Sequence, residues 1–256
     1  MFSHERYLTT VIDPTLPRHD AAHEAAQFDE VVRGLAERER LHDLLCRHVG
    51  RDVARLALEH DSLQEGDALA GGEITEAAIL FFDLVGSTSL AATRPPAAMA
   101  AVLNEFFRIV VTAVEGHHGF VNKFEGDAAL AIFGAPRPVL DPAGFALATA
   151  RCLRRTLGAL HTIDFGIGVT FGEVFAGNIG AEQRYEYTVI GDPVNEAARL
   201  SGIAKTCGTR TFASGHAVAA AADEEAKHWT TDRSVTLRGR AEPTVIAEPV
   251  HHEEFP

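Results

Sequence analysis

The chain has 256 residues, enough to bury one sizeable core and to carry a small additional segment. Its formal net charge of −13 disfavours nucleic acid or an anionic membrane surface as the main partner, so we expect no nucleic-acid partner. The three cysteines lie far apart without a Cys-x-x-Cys pair, which argues against a zinc framework or a disulfide scaffold.

No signal peptide is apparent, and no apolar run stands out as long enough to span a membrane. We therefore expect a cytoplasmic location. Two alternatives remain open at this point: an independent protein, or the cytosolic part of a membrane-bound protein.

The N-terminal part of the chain divides into two segments. Residues 1–27 contain scattered polar residues, Pro14 and Pro17, so we predict an irregular segment. Residues 28–62 are predicted to be helical, because apolar residues recur at helical spacing from Phe28 to Leu56. The helix either packs on its own domain as an ordinary amphipathic helix or dimerises and transmits a signal.

A short apolar run, residues 77–82, predicts a buried strand that ends at Asp83. A carboxylate at a strand end can hold a hard cation, and the free N–H groups of a following helix can bind a phosphate. The simpler alternative is that Ser87 or Thr88 only caps that helix. The residues that would contact the phosphate are Leu84, Val85, Gly86, Ser87 and Thr88.

A helix and a hairpin are predicted next. Residues 99–114 have the 3.6-residue periodicity of an amphipathic helix. Residues 119–133 are predicted to form a β-hairpin with the motif Asn-Lys-Phe-Glu-Gly-Asp (122–127) at or near its tip. Taken alone, the charges of Lys123 and Asp127 would indicate only a solvated turn.

The rest of the chain is predicted to contain a helix near 143–160 and a strand pair near 163–179. The glycines at 166 and 168 begin like a dinucleotide fingerprint but lack the third glycine, so we predict a strand that enters a hairpin at Gly172-Glu173. No P-loop motif occurs in the sequence.

A strand-like stretch then leads into a helix on which Asn195 and Arg199 share one face, because they are four residues apart. An amide and a guanidinium side by side suit a sugar oxygen and a phosphoryl group. For this pair alone, an exposed polar face is the simpler interpretation. Strands and helices that alternate around hairpins predict an α/β fold, a ferredoxin-like α/β sandwich extended near the C-terminus and preceded by the N-terminal helical segment.

Five segments, in this order and spacing, resemble the catalytic domain of class III nucleotidyl cyclases. They are residues 81–88, 122–127, 133–136, 172–180 and 188–199. The resemblance extends over roughly residues 73–250 and implies a nucleotidyl cyclase catalytic domain at 73–252 with the ferredoxin-like sandwich of that family. Residues 28–50 resemble, more weakly, the last helix of a HAMP module and its linker in membrane-bound cyclases, which implies an upstream sensory or membrane module.

The resemblance also implies roles for individual residues. Asp83 and Asp127 would hold two divalent ions per active site, Mg²⁺ or Mn²⁺. Lys123 and Thr188 would contact the purine. Asn195 and Arg199 would stabilise the transition state, with Asn195 orienting the ribose. Apart from the resemblance, Arg240 is a basic residue before the last strand-like run and a candidate contact for the triphosphate, although a solvated loop is the simpler interpretation there.

The preference for adenine or guanine can be predicted from the hydrogen-bond donors and acceptors of the base and of the residues that would contact it. Lysine offers only N–H donors, which suit the N1 acceptor of adenine and oppose the N1–H of guanine. Many relatives carry an aspartate where this chain has Thr188, and a threonine hydroxyl can donate or accept, so it discriminates less sharply. The chain resembles the bacterial Thr-type subgroup, which is often associated with bicarbonate responsiveness. We expect an adenylyl cyclase with some activity on GTP.

The expected partners are ATP and a second copy of the chain. In class III cyclases the metal-binding acids come from one subunit and the purine and transition-state residues from its partner, so a chain that carries both sets implies a head-to-tail homodimer. Two alternatives to the adenylyl cyclase are a guanylyl cyclase and a weak or inactive cyclase-fold module for regulation or dimerisation.

Overall fold

The computed structural model describes residues 18–61, 71–160, 164–181, 183–239 and 242–250, and within these it contains eight helices and eight strands. The helices are α1 (Arg18–Val49), α2 (Arg51–Asp61), α3 (Ser87–Thr93), α4 (Pro96–Gly116), α5 (Pro142–Gly158), α6 (Asp192–Ala204), α7 (Gly215–Ala220) and α8 (Asp223–Ala226). The strands are β1 (Gly72–Val85), β2 (Phe120–Glu125), β3 (Ala128–Phe133), β4 (Asp164–Ala181), β5 (Arg184–Ile190), β6 (Thr211–Ser214), β7 (Trp229–Val235) and β8 (Thr244–Pro249).

The chain divides into two units, Met1–Ala54 and Arg55–Pro256. In the first, α1 begins at Arg18, well before the predicted helix start at Phe28. The prediction of an irregular segment is thus wrong for residues 18–27, while residues 1–17 lie outside the described residues. The error has a simple cause: this stretch is rich in alanine, which favours helix strongly without producing an apolar periodicity.

The predicted helix over residues 28–62 is interrupted at Gly50, where φ is +83°. A left-handed glycine directly after the last helical residue ends a helix, and α2 starts one residue later. Along α1, large apolar side chains are exposed instead of packed within their own unit: Phe28, Val31, Val32, Leu35, Leu41, Leu44 and Val49.

The second unit is built on an eight-stranded sheet with the order β2-β3-β1-β4-β6-β8-β7, and β5 pairs with β4 beside this path. Its first half, β2-β3-β1-β4, has the strand order of a ferredoxin-like βαββαβ unit, and its neighbours are antiparallel. The pairing of β4 with β6 is parallel and extends the sheet towards the C-terminus. The predicted α/β fold is therefore confirmed.

The predicted strand pair near 163–179 is wrong: β4 is one continuous strand of 18 residues that passes through Gly172-Glu173. Its long partner β1 explains this, because β1 pairs with β4 continuously from Val85↔Asp164 to Gly72↔Gly177. The hairpin instead follows β4 and leads into β5, which pairs with residues 175–181.

Successive residues of β4 face opposite sides of the sheet, and the two sides pack against different parts of the unit. Phe165, Ile167 and Val169 belong to the main hydrophobic core. The glycines between them face α6, since a Cβ on Gly166 would lie 2.2 Å from the Ser201 carbonyl oxygen and one on Gly168 would lie 2.1 Å from that of Ala197. These glycines therefore lie in a strand, as predicted, and permit a close helix–strand contact.

Contrary to the expectation from the sequence, one helix, α4, is long and apolar enough to cross a membrane by length and composition. Four of its residues are nevertheless buried in the domain: Met99, Phe106, Val110 and Val114. The Phe106 ring centroid lies 4.6 Å from that of Phe82 on β1. The apolar stripe of α4 thus contributes to the core of the second unit.

Candidate active site

Two carboxylates predicted to bind metal come from adjacent strands at one end of the sheet. Asp83 lies near the end of β1, and its register partner on β3 is Ala128. Asp127 directly precedes Ala128, in the turn between β2 and β3. The antiparallel pairing of β1 with β3 therefore places Asp83 and Asp127 next to each other.

The turn after β1 supplies a hydrogen bond to one of these two carboxylates. Gly86 has φ +73° and directly precedes α3, whose first turn has no side-chain cap. The hydroxyl of Ser87 donates a hydrogen bond to Oδ2 of Asp127, so Ser87 does not cap the helix. Leu84 is buried, and the side chain of Thr88 lies outside the described residues. The predicted phosphate contacts of this turn stay predictions.

Lys205, which sequence reasoning missed, forms an ion pair with Asp83. It follows the last residue of α6, and its stem crosses the strand beside Asp83: a Cβ on Gly166 would lie 2.7 Å from Cγ of Lys205. Gly166 is the register partner of Asp83 on β4. Because glycine has no side chain, Gly166 leaves room for Lys205 to reach the Asp83 carboxylate.

These residues fit a divalent cation. The ammonium of Lys205 already places a positive charge on Asp83, and both side chains are about three-quarters buried, with 25% and 24% exposed. No group of three or more His, Cys, Asp or Glu side chains with metal-binding geometry occurs among the described residues. Two carboxylates suffice for Mg²⁺, which keeps most of its ligands as waters and substrate phosphates.

Replacing Lys205 by methionine should therefore tighten the binding of Mn²⁺ to the nucleotide-free chain by roughly fivefold, because a bound ion no longer competes with a partly buried ion pair worth ~1 kcal/mol. The measurement is a Mn²⁺ titration followed by electron paramagnetic resonance. Lys227→Met, which removes an exposed ion pair with Glu224, is the matched control. Equal Mn²⁺ affinity in wild type and Lys205→Met would show that Lys205 does not occupy the cation position.

A second group of contacts joins β2 to β5. Asn122 lies at a break in the β2–β3 register, between Val121 and Lys123, so it is the extra residue of a β-bulge. Bulges re-aim side chains, and here the Asn122 amide reaches β5. Its Nδ2 donates to the Tyr187 carbonyl at 2.6 Å, and Oγ1 of Thr188 donates to its Oδ1 at 3.1 Å.

The same junction holds Lys123, whose ammonium pairs with the carboxylate of Glu186 on β5. Glu186 and Thr188 lie two residues apart and therefore share one face of the strand. Between them, the Tyr187 side chain turns towards the sheet and packs edge-on against Phe120. Burial, with a smaller contribution from Glu73, raises the pKa of Tyr187 to about 12, so its phenol stays neutral.

The predicted transition-state residues lie on α6. Pro193, Ala197 and Leu200 form its buried face, while Asn195 is exposed and Arg199 is partly exposed. A Cβ on Gly239 would lie 3.7 Å from Nη2 of Arg199, so the loop before β8 passes beside this guanidinium. Arg240, the next residue in that loop, lies outside the described residues.

The predicted residues thus fall into three sets: the carboxylate pair Asp83 and Asp127, the purine pair Lys123 and Thr188, and the α6 pair. Sequence reasoning assigned no role to Asn122, Glu186 or Lys205. The alternation of β5 could have indicated Glu186, because it shares a face with Thr188. No local pattern indicates the contact of Lys205, since it depends on the alignment of β1 with β4.

Comparison with known proteins identifies the family of the chain. A family model described as "Adenylate and Guanylate cyclase catalytic domain" matches residues 70–246. The uncharacterized protein Rv1318c of Mycobacterium tuberculosis is 50% identical over 224 residues, which is 87% of this chain and 40% of that protein. Rv1319c of the same organism is 49% identical over 223 residues, again 87% of this chain and 41% of that protein. The chain therefore spans about two fifths of the length of these relatives.

Solved structures of similar fold include cyclases for both purines. The adenylyl cyclase CyaB from P. aeruginosa has a TM-score of 0.63 at 21% identity, with 72% of this chain and 97% of that chain covered. The guanylyl cyclase Cya2 has a TM-score of 0.60 at 31% identity, with 70% and 93% covered. A bacterial light-regulated adenylyl cyclase has a TM-score of 0.70 at 19% identity, with 88% and 64% covered. The structural similarity therefore does not distinguish ATP from GTP as the substrate.

Proposed function

We propose that this chain, which belongs to the family of adenylate and guanylate cyclase catalytic domains, is an adenylyl cyclase, a phosphorus–oxygen lyase that converts ATP to 3′,5′-cyclic AMP and pyrophosphate. The ribose 3′-oxygen forms a bond to the α-phosphorus. The bond from that phosphorus to the oxygen bridging to the β-phosphate breaks, and pyrophosphate leaves. The proton of the 3′-hydroxyl passes to solvent.

The observation that carries this proposal is the junction of β2 with β5, which brings the two candidate purine contacts together. The contacts of Asn122 with Thr188 and of Lys123 with Glu186 hold neighbouring residues of each strand in one place. Only one N–H of an ammonium is needed for Glu186, so Lys123 keeps donors for the N1 atom of adenine. Guanine carries a hydrogen at N1 and would oppose them.

Asp83 and Asp127 would hold Mg²⁺ or Mn²⁺, two ions per active site. When bound, these ions would favour ionisation of the 3′-hydroxyl and neutralise the leaving pyrophosphate. On α6, Arg199 would stabilise the charge that builds up on the transferred phosphoryl group. Asn195 would orient the ribose so that its 3′-oxygen faces the α-phosphorus.

We further propose a head-to-tail homodimer with two shared active sites. The hairpin of β2 and β3 supports it, because its two charges serve different contact groups: Asp127 accepts from Ser87, and Lys123 pairs with Glu186. In such a dimer, the Asp127 group would complete one site and the Lys123 group the other. The exposed apolar side chains of α1 would pair with those of the second copy.

The resemblance of residues 28–50 to the last helix of a HAMP module and its linker supports an upstream sensory or membrane module as a further partner. The catalytic domain itself would then lie in the cytoplasm, where ATP is available. The acidic net charge supports a small-molecule substrate instead of nucleic acid.

A guanylyl cyclase is the second candidate, because the guanylyl cyclase Cya2 is 31% identical to this chain. An inactive regulatory or dimerisation module is disfavoured, because each position to which the family resemblance assigns a role in catalysis or binding holds a residue with suitable chemistry. These residues are Asp83, Lys123, Asp127, Thr188, Asn195 and Arg199.

The test is to incubate the purified chain with Mn²⁺ or Mg²⁺ and either ATP or GTP, and to quantify both cyclic nucleotides. We expect cyclic AMP from ATP, with kcat/KM at least about tenfold above that for GTP, since one opposed hydrogen bond costs ~1–3 kcal/mol. Equal activity on both nucleotides contradicts the proposal, activity on GTP alone supports the guanylyl cyclase, and no product supports the inactive module.

A further inference from the structure

We propose that Asn122 is a positioning residue that sets the direction of the Thr188 hydroxyl and thereby makes Thr188 an acceptor specific for the amino group of adenine. This inference rests on the proposed adenylyl cyclase function and goes beyond it, because it assigns the base preference to a hydrogen-bond chain. These hydrogen bonds run from the Tyr187 carbonyl through the Asn122 amide to the Thr188 hydroxyl.

The first link determines the orientation of the amide. The backbone carbonyl of Tyr187 can only accept a hydrogen bond, so the group of Asn122 that lies 2.6 Å from it must be the NH₂ group. The β-bulge holds the residue in this direction, because Asn122 is the extra residue between Val121 and Lys123 in the β2–β3 pairing. The amide oxygen consequently faces β5.

The second link determines the direction of the hydroxyl. Oδ1 of Asn122 can only accept, and Oγ1 of Thr188 lies 3.1 Å from it. The hydroxyl hydrogen of Thr188 must therefore point to Asn122. What Thr188 presents to a bound base is then the lone pairs of its oxygen, as the carboxylate of an aspartate would.

The orientation of the Thr188 hydroxyl distinguishes adenine from guanine. Adenine carries an amino group at C6, which donates to the lone pairs of Thr188, whereas guanine carries a carbonyl oxygen there and would meet acceptor with acceptor. The ammonium of Lys123, held beside this position by Glu186, makes the same distinction at N1. The weaker discrimination expected from a freely rotating threonine hydroxyl is thereby removed.

The experiment compares kcat/KM for ATP and for GTP with Mn²⁺ in the full chain and in Asn122→Leu, which keeps the branched shape of the side chain but has no acceptor. The freed hydroxyl can donate to the C6 oxygen of guanine, so we expect kcat/KM for GTP to rise about tenfold, through KM, with ATP changed by less than about twofold. Asn104→Leu, on the exposed face of α4, is the matched control.

Thr188→Val provides an independent measurement if Asn122→Leu does not fold. It should lower kcat/KM for ATP about tenfold without lowering that for GTP, because it removes an acceptor that serves adenine and opposes guanine. In the Thr188→Val background, Asn122→Leu should have no further effect on the ratio. Thr188→Ser, which retains the hydroxyl, should keep the wild-type ratio of kcat/KM for ATP to kcat/KM for GTP.

An unchanged ratio in Asn122→Leu, or an effect of Asn122→Leu that persists with Thr188→Val, overturns the inference. So does a loss of GTP activity in Thr188→Val, because the wild-type hydroxyl would then be donating to guanine. A wild-type chain without preference for ATP overturns the proposed function instead, so the two failures are distinguishable.

Discussion

Asp83→Asn should lower cyclase activity by about a thousandfold or more, the largest effect expected of a single substitution in this chain. The change keeps the shape of the side chain and removes its charge, so that one of the two carboxylates for the divalent ions is lost. A loss of this size corresponds to ~4 kcal/mol of transition-state stabilisation. The loss of activity should appear mainly in kcat, since the proposed purine contacts lie on β2 and β5.

The measurement is the rate of cyclic AMP formation at saturating ATP and Mn²⁺, together with the thermal unfolding midpoint. The midpoint matters because Asp83 also pairs with Lys205, and a neutral amide in place of the carboxylate would weaken that contact. Glu105→Gln, an exposed acid on α4 that pairs with Arg108, controls for the change of charge and should retain full activity. A folded Asp83→Asn protein with near-normal kcat would exclude Asp83 as a metal ligand.

Mixing Asp83→Asn with Asn195→Ala should restore about a quarter of wild-type activity, although each protein alone is nearly inactive. Random exchange of subunits makes half of all dimers mixed, and each mixed dimer has one intact site of two. The intact site combines the carboxylates of the Asn195→Ala subunit with α6 of the Asp83→Asn subunit. Asn195 is exposed on α6, so its replacement should leave the fold unchanged.

The matched control for this experiment is a mixture of Asp83→Asn with Asp127→Asn. Both changes affect the carboxylate half, so every site of the mixed dimer lacks one acid and no activity should return. Subunit exchange is followed by fluorescence energy transfer between labelled copies. Recovery in both mixtures, or in neither despite exchange, is incompatible with sites shared head-to-tail.

The sequence located the candidate site residues on the correct elements, because these residues lie at the ends of regular strands or on one helix face. Asp83 follows an apolar strand, and the turn 122–127 separates two apolar runs that form β2 and β3. Asn195 and Arg199 share a helix face by spacing alone. These assignments need only local periodicity and turn chemistry, together with a resemblance whose five segments appear in order.

The errors arose where distant chain segments decide the outcome. The predicted hairpin at Gly172-Glu173 is absent because β1 pairs along β4 as far as Gly177. The strand predicted at the glycines of positions 166 and 168 is present as part of β4, where these glycines permit the close approach of α6. At the N-terminus, an alanine-rich stretch formed helix without the periodicity by which helices are recognised.

By itself, then, the sequence determined most strands and helices of the catalytic unit and the residue types that a cyclase requires. Only the tertiary structure decided what these side chains do before a nucleotide binds: Lys205 pairs with Asp83, Ser87 with Asp127, and Asn122 orients Thr188. The physical reason is that such contacts depend on strand register, a β-bulge and a glycine that lets a lysine pass. Asn122 and Thr188 are 66 residues apart, and no local preference can encode their meeting.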